Sequence, residues 1–205
     1  MNKSTFSVLS IFIIAAWMAA TPAVYSQTSS GDFTNEPDKT MASAHESFLK
    51  GETDKAAEQI NKAAAYVKKE ADKVAKDARA GVKKAGEDLE KLGQGVKKGT
   101  VKSSDELKKT FARVDYELAK AWHKTADEAK KSGKDSSNAL KEAGAWIEGA
   151  AKWSVTQLKE GTQASVEAVK KVGKGAAKGA KAGVEEVDKW FKGIGEGIED
   201  LGRKL

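Results

Sequence analysis

The sequence predicts an all-α protein whose long amphipathic helices form an elongated, loosely packed bundle or helical array. Three observations predict it. Apolar residues recur in steps of three and four from Ala57 to Val96, and again through Leu107–Leu118 and Val166–Leu205, with Lys, Glu and Asp in the gaps. No segment reads as a strand. The composition, with 7% aromatic residues, 19 Gly and no Cys, sits near the helical, thinly cored end of the range for folded chains.

The elements follow in order. Residues 1–26 read as a secretory signal: Lys3 starts it, Phe6 to Ala20 supply the apolar centre, and Val24 with Ser26 suit cleavage after Ser26. An uncleaved anchor is the alternative, because the apolar run is near the short limit for a membrane span. Residues 27–39 are too polar to gain order and read as a flexible leader. A helix over residues 40–50 follows, stopped by Gly51, and its Phe48 and Leu49 are expected to fold back on Ala57 and Ile60 as an αα-hairpin.

The next helix is expected to run unbroken over residues 54–98, about 60 Å at 1.5 Å per residue. The steps Val74 to Ala78 to Val82 leave its heptad without ending it. A turn near Gly99 precedes a helix over 104–132, opened by a capping box of Ser103 and Glu106. Its large apolar side chains, Leu107, Phe111, Val114 and Leu118, make the strongest seam in the chain. Helices over 136–160 and 162–204 complete the prediction. Steps of 29 residues from Thr53 fall on Val82, Phe111, Leu140, Val169 and Ile198. Internal duplication and plain helical periodicity both account for that spacing, since 29 is close to a whole number of turns.

Function is narrowed more than it is named. The two histidines, His45 and His123, and the absence of Cys leave neither a closed zinc site nor a cysteine nucleophile. His123 and Asp127, one turn apart, read as a solvated pair. The acidic residues are interleaved with Lys and form no paired carboxylate cleft, so the expectation is a non-enzyme with no cofactor and no metal. The 36 basic against 30 acidic residues give +6, and +5 once Lys3 leaves with the signal, which favours anionic partners. Lys170, Lys171, Lys174, Lys178 and Lys181 share an arc of about 100° opposite Val169, Val172 and Val184, an anion-binding or membrane-surface stripe. Trp146, Trp153, Trp190 and Phe191 stand as apolar docking residues. The partners expected are an anionic membrane surface or an envelope protein. Self-association through Ala and Gly seams is the alternative, and export argues against nucleic acid.

The alternation of Lys, Ala, Gly and Glu in Ala71–Val82 and in Lys84, Ala85, Gly86 and Glu87 resembles group 3 late-embryogenesis-abundant proteins. The succession of amphipathic helices from Ala56 to Leu205 is similar to exchangeable apolipoproteins. The first resemblance implies a stress protectant that folds on drying, and the second a lipid-surface binder. The large apolar residues of Leu107–Leu118 and the four Trp beyond the signal depart from the desiccation-protein pattern and favour a packed bundle or docking surface.

Overall fold

A computed structural model describes residues 35–176 and 184–205, with side chains for 35–171 and 185–205. Its helices are α1 (Glu36–Leu49), α2 (Thr53–Glu70), α3 (Arg79–Lys97), α4 (Ser104–Lys131), α5 (Ser137–Trp153), α6 (Glu160–Ala176) and α7 (Val184–Gly202). The chain is all-α, with no strand among the described residues. The signal segment lies outside those residues.

Turn chemistry sets most boundaries. Gly51, Gly99 and Gly133 take φ of +75°, +65° and +67°, the left-handed geometry that ends α1, α3 and α4. Ser103 Oγ accepts the Glu106 N–H at 3.3 Å, so the cap foreseen for α4 forms. The first helix begins earlier than expected. Asn35 Oδ1 accepts the Asp38 N–H at 2.9 Å, and Pro37 occupies the first turn, where a missing N–H costs no helical bond. The leader therefore yields to helix at Glu36 instead of residue 40.

The single 54–98 helix does not form. Residues 71–78 are a succession of turns, with Asp72 N–H bonded to Lys69 O and Ala78 N–H to Ala75 O, and the chain doubles back so that α3 packs on α2. Thr125 Oγ1 on α4 accepts the Ala75 N–H at 2.8 Å, and Lys124 pairs with Asp77. The gain is contact. A Cβ on Gly86 would lie 2.6 Å from Lys68 Cγ, and one on Gly93 2.6 Å from Asn61 Oδ1, so a side chain at either position would have to displace a side chain of α2. An extended Ala-lined helix would have left the faces of Ala57, Ile60, Ala64 and Val67 uncovered; folded, all four are buried.

The predicted 136–160 helix ends at Trp153, after which Val155 takes φ +53°. The predicted 162–204 helix is divided into α6 and α7, packed on one another. There Thr162 Oγ1 donates to Gly193 O at 3.1 Å, and Gly197 faces Thr162. Phe48 packs on the core as expected, but Leu49 is 48% exposed. One contiguous core joins all seven helices, with Phe111, Leu107 and Leu118 of α4 fully enclosed within it.

Candidate functional site

The α4 seam carries a residue of the wrong polarity. Asp115 stands one turn after Phe111 and one before Leu118, so helix geometry takes its carboxyl into the core. Asp38 on α1 meets it there, and both are fully buried. Gly149 on α5 makes the room: a Cβ at that position would lie 2.5 Å from Asp115 Oδ2 and 2.6 Å from Asp38 Oδ2. Three helices thus converge on one pair of acids.

The donors are divided unequally. Asp38 Oδ1 accepts the Trp153 Nε1–H at 3.1 Å, and Asp38 Oδ2 accepts from Asn35 Nδ2 at 2.7 Å. Neither oxygen of Asp115 has a protein donor, so two ionised groups would face each other uncompensated. Burial first, and then the Asp38 charge, push the Asp115 carboxyl well above the usual carboxylate range. Asp38 is raised too, by burial, against the bonds from Asp115, Trp153 and Asn35. Two buried carboxyls this close titrate as a pair, each pushed toward its protonated form, Asp115 the further.

His45, two turns along α1 from Asp38, completes the cluster. Its ring meets Trp153 edge-on at 6.0 Å between centroids, and Phe111 meets the same indole at 4.9 Å. Both imidazole nitrogens are buried without partners. Burial, with Lys108 adding to it, lowers the His45 pKa to about 4, so the ring is neutral at pH 7. The arrangement can hold and release protons within the core. With both carboxyls sealed from solvent, it offers no substrate an approach, and no metal-holding cluster of three ligands exists among the described residues.

The apolar docking residues lie inside. Trp146, Trp153 and Trp190 are buried, and Phe191 packs against the core with its ring 4.4 Å from that of His123. Their helices turn these faces toward neighbouring helices, which satisfies the apolar contact expected of them within the chain itself. The lysine stripe is split: Lys170 pairs with Glu148 on α5, while Lys171 is exposed. The side chains of Lys174, Lys178 and Lys181 lie outside the described residues. His123 is not the solvated residue expected. Its Nε2 lies 3.2 Å from Phe191 O, burial lowers its pKa, and Asp127 pairs with Lys131 at 2.5 Å instead.

Sequence reasoning missed Asp38, Asp115 and His45 as a group. The signal available was an acid at the centre of the strongest apolar seam, where interleaved Lys and Glu elsewhere made every carboxylate look solvated.

No helix of the described residues is long and apolar enough to cross a membrane. No curated protein and no solved structure matches the chain. A family model does, that of the suprabasin GxHH repeat. The order Gly-x-His-His does not occur here; Gly-Val-Lys-Lys does, at Gly81–Lys84 and Gly95–Lys98. In both, the Val is fully buried in the core and the lysines are exposed. With that family matched over residues 21–205, most of its length, the chain belongs to the suprabasin GxHH-repeat family.

Proposed function

We propose that this exported protein is a non-enzymatic helical bundle that binds negatively charged surfaces, an anionic membrane or an envelope protein, through the outward faces of its amphipathic helices. Family membership and the apolar leader of Phe6–Ala20 agree on export. The observation that carries the binding reading is the division of α6. Val166 and Val169 are buried against its neighbours while Lys171 points to solvent, so the described part of this helix turns its apolar side inward and leaves Lys171 free for an anionic partner.

The inward Trp residues alter the mechanism expected of such binding. Because Trp146, Trp153 and Trp190 already fill the core, attraction is electrostatic and shallow, on the order of 1 kcal/mol per lysine near an anionic surface. Sedimentation with phosphatidylglycerol-containing vesicles should carry the protein down at low salt and release it as salt rises, while phosphatidylcholine vesicles leave it in solution. Equal partition onto both vesicles, or onto neither, overturns the reading. Glutamate at Lys171, Lys174, Lys178 and Lys181 together should abolish capture.

A further inference from the structure

A groove of about 920 Å³ runs between α3 and α4 and is closed at one end by the tail of α7. Its floor is apolar, formed by Ala85, Leu92 and Val114. At the closed end Tyr116 packs over Gly202, where a Cβ would lie 2.5 Å from the phenol oxygen. The walls carry charge of both signs, but the acids are committed. Asp88 faces Lys84 at 3.9 Å and Lys91 at 3.6 Å, and Glu117 takes Lys120 at 3.1 Å. Lys109 and Arg113, one turn apart on the same face of α4, are exposed and have no acidic partner among the described residues.

A short apolar floor of three residues beside two unpaired cations suits one kind of small molecule. The volume falls within the range of ligand sites, and the face from Gly81 to Leu92 is about 16 Å long at 1.5 Å per residue. We propose that this groove binds a single anionic amphiphile, with a carboxylate or phosphate head on Lys109 and Arg113 and an alkyl chain along Ala85, Leu92 and Val114 toward Tyr116. Arg113 supplies a planar fork suited to either head, and Lys109 adds a point charge. Lys171 and the rest of the α6 face take no part. The site is therefore separate from the surface binding proposed above.

Titration calorimetry of the full mature chain with lauryl phosphate and laurate, each kept below its micellar concentration, tests the proposal. Both should bind with one-to-one stoichiometry, at least about tenfold more tightly than monolaurin, which has the chain but no charge. Inorganic phosphate should bind at least tenfold more weakly than lauryl phosphate. Monolaurin binding as well as laurate, or phosphate binding as well as lauryl phosphate, overturns it. Lys109→Glu with Arg113→Glu, both exposed positions, should weaken both amphiphiles by about tenfold or more while circular dichroism stays unchanged. Undiminished binding by that folded variant sinks the assignment. Lys171→Glu should leave amphiphile affinity unaltered while it weakens vesicle capture, so the two readings fail separately.

Discussion

Asp38 and Asp115 approach each other only because residue 149 has no side chain: the position a Cβ would take there is 2.5 Å from one carboxyl oxygen and 2.6 Å from the other. Two acids, from helices at opposite ends of the first hundred residues of the folded body, are packed against the backbone of a third helix.

Gly149→Ala should therefore destabilise the bundle by about 1–3 kcal/mol, although alanine is the better helix former, because two buried carboxyls cannot both retreat. Gly161→Ala, at a helical site with open space around it, should be neutral or stabilising by up to about 1 kcal/mol. Urea unfolding of the two variants measures both, and a Gly149→Ala protein as stable as the parent contradicts the packing described.

The alkaline limb of stability belongs to Asp115. Its folded pKa is raised, so above the usual carboxylate range the folded chain holds a proton that the unfolded chain has lost. Stability is then present at low pH and falls as pH rises toward the raised value. Asp115→Asn keeps a donor for Asp38 and removes the titration. Its melting temperature should decline less than that of the parent across that window.

His45 acts in the opposite direction. With a folded pKa of about 4 against 6.5 for the free side chain, the unfolded chain takes up the proton first as pH falls. Stability conferred by the neutral ring is present above pH 6.5 and is lost through the interval down to about 4. In His45→Phe this acid limb should flatten, as thermal melts between pH 7 and 4 would register.

Trp153→Phe keeps most of the aromatic contact with Phe111 and His45 but removes the N–H that Asp38 accepts. A loss of about 1–3 kcal/mol is expected from a buried carboxyl left short of one donor in the core. A double-mutant cycle with Asp38→Asn should show coupling of at least about 0.5 kcal/mol between the two positions.

Thr125→Val removes the acceptor of the Ala75 N–H without changing shape. Hydrogen exchange should quicken at residues 71–78 and not in α5, with a global cost near 1 kcal/mol.

Residues with a local cause were legible before the fold was known. Gly51, Gly99 and Ser103 each act on their own turn, so the ends they set were foreseen. The break at 71–78 was not, because Ala71, Ala75 and Ala78 are good helix formers and nothing local stops them. What ends α2 is distant: the close fit of Gly86 and Gly93 against α2, and Thr125 reaching from α4. The acid pair was hidden for the same reason. Asp115 lay in view on an apolar face, but its partner is 77 positions earlier, on a segment read as partly leader. The four aromatic residues assigned to docking pack against the core of this chain. Periodicity alone does not say whether apolar surroundings belong to the same chain.

The order in which the helices touch also bears on how the bundle comes into being. Each helix packs on the one before it, α1 on α2 and onward to α6 on α7, and most closures span only a short stretch of chain. Such topologies are fast folders, because little loop entropy is lost before contacts form. With no cysteine to be paired, nothing in the sequence waits on an oxidant. A chain delivered end first can thus build its first hairpin, α1 on α2, while the rest is still emerging. The Asp38–Asp115 contact then serves as a late latch, drawn shut only once α4 and α5 arrive.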